Sequence, residues 1–319
     1  MNGKIDIYCE FGFLEKFYST LPQNHDRNNP KAKYWRDLDE LFCRHSCVVM
    51  MDVDDATYYK QSEKNENEDV KYFLQALWAD GNIECAPSKS MEKAIGKNNG
   101  VAYFADKTQA LFFLDASLEK CKKLADDYGL MFISNYNFAE WANFLFSSSI
   151  ELVNEKTKNW DFVKQFKHPC NSITLIDNYI LDKDDDTLKK DIRSLFNALL
   201  PLQLNNTVFN IYIYSYSKYR NSREEEDKKK IIRNAVNELR RKYEIRFKFP
   251  FYTLNNDHHD RYLLTNYCMF NSGYGFALRE SERKTGTSLM VWPLTYLSQY
   301  GDKASRNNVF EIMQFLRKK

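Results

Sequence analysis

A repeated alternation of short, continuous apolar runs with longer stretches of helical periodicity limits this chain to few folds. In the first half, Cys47 to Met51, Ala110 to Leu114 and Leu130 to Ile133 are apolar throughout. Runs that short and that apolar suit strands buried on both faces. Lys4 to Cys9 reads as a further strand, with Ile5 and Ile7 on one face, and Val101 to Phe104 as another. Between them, Tyr34 to His45 places Trp35, Leu38, Leu41 and Phe42 at helical spacing. Val70 to Trp78, Ser117 to Tyr128 and Phe138 to Phe146 read as helices too. Strands that alternate with helices predict an α/β domain with a mainly parallel sheet.

The second half has the same rhythm. Ser172 to Leu181 reads as a strand. Asp184, Asp185 and Asp186 then supply N-terminal capping for a helix with Leu188, Ile192, Leu195, Phe196 and Leu199 on one face. Thr207 to Ser215 is β-branched and aromatic, so it reads as a strand. Ser222 and Glu225 form a capping-box pattern. The helix they open carries Glu224 to Glu226 at its start and Arg240 to Lys242 at its end, in the order the helix dipole favours. Ile245, Phe247 and Phe249 alternate with charged residues as a strand does, and Arg261 to Phe270 reads as one more. Glu151 to Asn171 is polar and without strong periodicity, so the expected domains are 1–150 and 171–319.

Composition removes several functional classes. The formal net charge is only +2, so any basic site must be local. Glycine occurs 10 times in 319 residues, and neither GxGxxG nor GxxxxGK[ST] is present. Dinucleotide and P-loop nucleotide binding are therefore disfavoured. The seven scattered cysteines suggest reduced thiols and a cytoplasmic setting. Cys43 and Cys47 flank His45, but no second close pair completes a zinc set, so ordinary buried thiols are expected. No apolar run is long enough to span a membrane.

The densest chemistry lies between His258 and Gly275, and it opens with His258-His259-Asp260-Arg261. A strand's two-residue period puts His259 and Arg261 on one face. A guanidinium grips two phosphate oxygens in a fork, and an imidazole can attack phosphorus or move a proton. Ser272-Gly273-Tyr274-Gly275 allows a tight turn and close backbone approach to a ligand. Arg246 and Lys248, with Tyr252, offer further cations and a ring for a phosphate-tracking surface. The plainer reading is a histidine pair that caps a turn beside Asp257 or Asp260.

This segment resembles the signature of the phospholipase D-like superfamily, His-x-Lys-x4-Asp with a small Gly/Ser loop after it. His259 matches the histidine, Arg261 stands where lysine is usual and Asn266 where aspartate is usual. Ser272 and Gly273 fall where the Gly/Ser loop belongs. The His-Asp-Arg variant is similar to the C-terminal phospholipase D-like domain of microtubule-interacting-and-trafficking domain proteins, and Asp177-Asn178-Tyr179-Ile180 fits that pattern as well. The resemblance runs from about Ser172 onward. It implies a mixed-sheet α/β domain acting on a phosphodiester without a metal or other cofactor. His259 would be the nucleophile, Arg261 would hold the phosphate, and Asn266 and Ser272 would orient it. Active members join two histidine motifs, so one motif per chain implies a homodimer. The two substitutions equally suit a domain that binds without turnover.

In the first half, Glu10, Asp52, Asp54 and Asp115 come directly after expected strands. Carboxylates converging on the carboxyl ends of a parallel sheet would hold Mg²⁺ or Mn²⁺, and the layout resembles a PIN-type nuclease. Strand-end Asp is also ordinary turn and cap chemistry. The chain is thus expected to take one of three roles. The first is a protein that binds or cleaves nucleic acid or another phosphodiester through its C-terminal domain, in the anti-phage setting associated with such chains. The second is a docking subunit that meets a protein partner in a larger assembly. The third is a metal-dependent nuclease sited in the N-terminal domain.

Overall fold

The computed structural model describes residues 5–20, 30–87, 110–215, 223–250, 261–273, 275–276 and 286–301. The expected strand at Val101 to Phe104 lies outside them, as do Ser222, Tyr252 and His258 to Asp260. The protein is α/β, with a parallel first sheet and a mixed second sheet. It divides into two compact units.

The first unit is built on β1 (Ile5–Cys9), β2 (Ser46–Met50), β3 (Ile83–Cys85), β4 (Leu111–Leu114) and β5 (Met131–Ser134). Their order is β3-β2-β1-β4-β5, and each neighbouring pair is parallel. Around them lie α1 (Phe11–Ser19), α2 (Pro30–Glu40), α3 (Asp55–Glu63), α4 (Glu68–Ala79), α5 (Leu118–Tyr128) and α6 (Phe138–Leu145). Every residue of β4 and β5 is buried, as an apolar run without alternation requires. The expected helix to His45 ends at Glu40 and passes into a π-helical turn, Leu41–His45. Cys43 lies in that turn and Cys47 is exposed on β2, so the pair share no helical face.

The second unit holds β6 (Ser149–Val153), β7 (Ser172–Ile176), β8 (Phe209–Tyr214), β9 (Ile245–Lys248), β10 (Arg261–Thr265), β11 (Cys268–Ser272) and β12 (Thr287–Pro293). Their order is β6-β12-β11-β10-β7-β8-β9. The pairs β7–β8 and β8–β9 are parallel, whereas β10 is antiparallel to both β7 and β11. The helices α7 (Asp185–Leu199) and α8 (Arg223–Asn237) bury their apolar faces. Asp184 caps α7 by accepting the Thr187 N–H, as its position implied.

Several boundaries differ from the sequence reading. The strand from Ser172 ends at Ile176, and a 3₁₀ turn, Ile180–Asp182, comes after it. The single strand over Arg261 to Phe270 is a hairpin that turns at Asn266-Tyr267. Helix α8 stops at Asn237, with Arg240 at a φ of 50° beyond it. Arg241 is consequently not in that helix's last turn. It donates instead to the carbonyl of Asn197, near the carboxyl end of α7. Glu151 to Asn171 holds a strand and a 3₁₀ helix where an unstructured boundary was expected. The first unit also takes in the segment from Pro293 onward, which carries α9 (Leu294–Tyr300), so 171–319 is not one domain. Among the described residues no helix is long and apolar enough to cross a membrane.

Candidate functional site

The strongest site grows from one edge of the second sheet. Strands β7 and β8 are parallel, so their carboxyl ends lie together, and antiparallel β10 begins at that same edge. Clefts outside carboxyl ends of parallel strands are where open α/β sheets place ligands. Asp177 comes directly after β7 and is 1% exposed. Its Oδ1 accepts the Tyr179 N–H at 2.9 Å, and its Oδ2 accepts the Phe276 N–H at 3.2 Å. Arg261, the first residue of β10, sets Nε 3.7 Å from Asp177 Oδ1. Its Nη1 donates to the Gly273 carbonyl at 2.5 Å, and its guanidinium carbon lies 5.1 Å from the centre of the Tyr179 ring. One cation is thus fixed by a carboxylate, a carbonyl and an aromatic face.

Burial pushes the Asp177 carboxyl above the usual carboxylate range. Its two backbone hydrogen bonds and the charges of Arg261 and Lys183 oppose that rise. Gly275 closes the turn after β11 with a φ of +91°. A Cβ there would sit 2.5 Å from Asp177 Oδ2 and 2.8 Å from Arg261 Cδ. The close approach expected of this glycine is therefore to the Asp177–Arg261 pair.

The other residues singled out from sequence divide clearly. His259 lies outside the described residues. Ser272 pairs in register with Arg261, and its hydroxyl donates to the Gly275 carbonyl at 2.6 Å, so it shapes the turn over the pair. Asn266 is not brought to Arg261. It lies beyond the far end of β10, about 17 Å away at the rise of an extended strand. There it is buried, and its Oδ1 accepts the N–H groups of Asn171 and Ser172 at 2.9 and 3.2 Å. Arg246 and Lys248 lie on β9, three strand spacings or about 14 Å from β10. Arg246 pairs with Glu244 at 2.7 Å, and Lys248 lies over the Tyr212 ring. Lys183 carried no motif signal and emerges only from the fold.

In the first unit, Glu10, Asp52 and Asp115 stand beyond the ends of three adjacent parallel strands, β1, β2 and β4. Each is engaged by protein donors. Glu10 accepts the Asp115 N–H at 2.9 Å. Both oxygens of Asp52 face the Phe11 N–H, at 3.0 and 3.2 Å, at the start of α1. Asp115 pairs with Lys16 at 2.5 Å. Asp54 accepts the Thr57 N–H at 2.7 Å and caps α3. Burial first, then the charges of Asp52 and Asp115, raise the Glu10 carboxyl, against the pull of Asp115's N–H and Lys120. Among the described residues no three His, Cys, Asp or Glu side chains are grouped to hold a metal ion. Oxygen donors of the type Mg²⁺ takes are present, each already engaged by a protein donor.

No family model matches the sequence, and no curated protein matches it. What bears on function is therefore the chemistry of these two edges.

Proposed function

We propose that this protein binds a phosphodiester, carried by nucleic acid, at the edge of the second sheet where Arg261 is held. The supporting observation is the fixed guanidinium. Asp177, the Gly273 carbonyl and the Tyr179 ring set its orientation, while its side chain keeps 19% exposure. Of its five N–H donors, Nη1 uses one on Gly273 and Nε is buried toward Asp177, so a phosphate would meet the remaining Nη donors. A pre-oriented fork of donors loses little freedom when it meets a phosphate. The resemblance of His259 and Arg261 to the phospholipase D-like signature points to the same chemistry, with His259 the candidate nucleophile.

A second reading has support of its own. Asp177 offsets the charge of Arg261, which suits a docking module that never turns over substrate. Binding of labelled DNA and RNA, by anisotropy, separates these readings when it is paired with cleavage in Mg²⁺ and in EDTA. Arg261→Ala is expected to weaken binding at least about tenfold, since charged hydrogen bonds contribute roughly 1.5–3 kcal/mol. Cleavage that survives EDTA and is lost in His259→Ala adds catalysis at this edge. Cleavage that needs metal and ignores both substitutions moves the site to Glu10, Asp52 and Asp115. Binding that Arg261→Ala leaves unchanged overturns the proposal.

A further inference from the structure

We infer that the ligand of this edge is single-stranded nucleic acid, and that Tyr179 is the surface on which one of its bases stacks. The inference rests on the phosphodiester reading of Arg261 and adds what carries the phosphate. Tyr179 is a large aromatic residue left 42% exposed at a sheet edge. It is also held in place. Its N–H is tied to buried Asp177, the 3₁₀ turn Ile180–Asp182 begins at the next residue, and the Arg261 guanidinium lies against its ring. The guanidinium lies over one face of the ring, so a base would stack on the other face, with its phosphate within reach of the cation. A guanidinium against a ring also strengthens such a site through its attraction to the π face.

Geometry decides strandedness. Within a duplex both faces of an internal base are covered by its neighbours, so a base can lie on Tyr179 only if it is unstacked. A second ring-and-cation group lies further along the same edge. Phe249 comes directly after β9, with Arg233 of α8 at 4.9 Å from its ring centre, while Lys229, 5.7 Å away, is paired with Glu225 and Glu226. The strand registers and the two-residue period put Phe249 on the face of the sheet that also carries Asp177 and Arg261. Strand β9 is two spacings from β7, about 10 Å. A single strand of a few nucleotides spans that distance.

The test uses the full chain and three labelled probes: a 12-nucleotide single strand (about the site size of such modules), its duplex, and a strand of the same length made of abasic residues. The base-bearing single strand is expected to bind at least fivefold more tightly than the other two. Tyr179→Ala is expected to bring its affinity down to that of the abasic strand, and Tyr179→Phe to leave it unchanged. If the abasic strand or the duplex binds wild type equally well, the inference is overturned, even where Tyr179→Ala fails to fold. If Arg261→Ala weakens binding but a folded Tyr179→Ala does not, the inference falls while the phosphodiester reading stands. If no probe binds, or Arg261→Ala changes nothing, both fall together.

Discussion

His168 is buried, and both its ring nitrogens are engaged. Nδ1 lies 2.8 Å from the Phe166 carbonyl and Nε2 lies 2.7 Å from the Thr265 hydroxyl. A carbonyl only accepts, so Nδ1 carries the proton and Nε2 receives one from Thr265. Burial lowers the pKa from 6.5 to about 4. Because the folded value is depressed, the stability this residue contributes is fully present above pH 6.5 and is lost as the pH falls through 4. The loss amounts to about 3 kcal/mol. Denaturant unfolding at pH 7 and at pH 4.5 will show it, and His168→Gln, which can keep both hydrogen bonds, will flatten the difference. Gly275 supports a second prediction at this scale. Alanine there meets both a positive φ and the Asp177 carboxylate. Gly275→Ala should cost about 2 kcal/mol of stability and weaken oligonucleotide binding by displacing Arg261. Equal melting and equal affinity would count against the close packing described for this turn.

At the scale of elements, the hairpin of β10 and β11 shows where sequence reading stops. Its turn carries no Gly, Pro or Asn-Gly. Instead the Thr265 hydroxyl oxygen accepts the N–H groups of Tyr267 and Cys268, at 3.3 and 3.0 Å. Apolar residues continue on both sides, so the segment reads as one strand. The same turn explains why Asn266 is not aspartate. Asn171 gives its Nδ2 to the Tyr128 carbonyl, which leaves its Oδ1 as an acceptor facing Asn266. Only an amide can accept two backbone N–H groups with one end and donate with the other. Asn266→Asp should therefore lose about 2 kcal/mol of stability while oligonucleotide affinity holds. A selective loss of binding would restore Asn266 to the site. Strand β6 was hidden for a different reason. Ile150 and Leu152 are 65% and 75% exposed, so two of its three apolar residues point away from the buried side. By contrast, β4, β5 and α7 were legible, because burial and capping in them obey the local pattern.

For the whole molecule, the α/β class could be read from the strand–helix rhythm, whereas the mixed second sheet was implied only by the resemblance. The partition could not. Nothing in the composition near Trp292 marks the return of the chain to its first unit, because α9 is anchored by particular side chains. The Tyr300 hydroxyl donates to Asp37 Oδ1 at 2.5 Å, Gln299 donates to the Asp37 carbonyl at 2.6 Å, and Thr295 donates to the Leu145 carbonyl. A chain ended at Trp292 should therefore destabilise the first unit selectively. Hydrogen exchange would report faster opening of β1 and β4 with the protection of β7 and β8 retained, and uniform loss in both sheets would refute the partition. The candidate site was half legible. Arg261 announced itself through a motif, but Asp177 and Tyr179 reach it only through the pairing of β7 with β10, and Gly273 through the pairing of β10 with β11.

That return also fixes an order of events on the ribosome. The second unit is encoded without interruption apart from the short stretch Asp126–Gly129, and it is complete once Trp292 has emerged. The first unit must wait for the segment beyond it. During that interval its earlier elements stand without α9, so a nascent chain stalled late in synthesis would carry a finished second unit while its first was still incomplete.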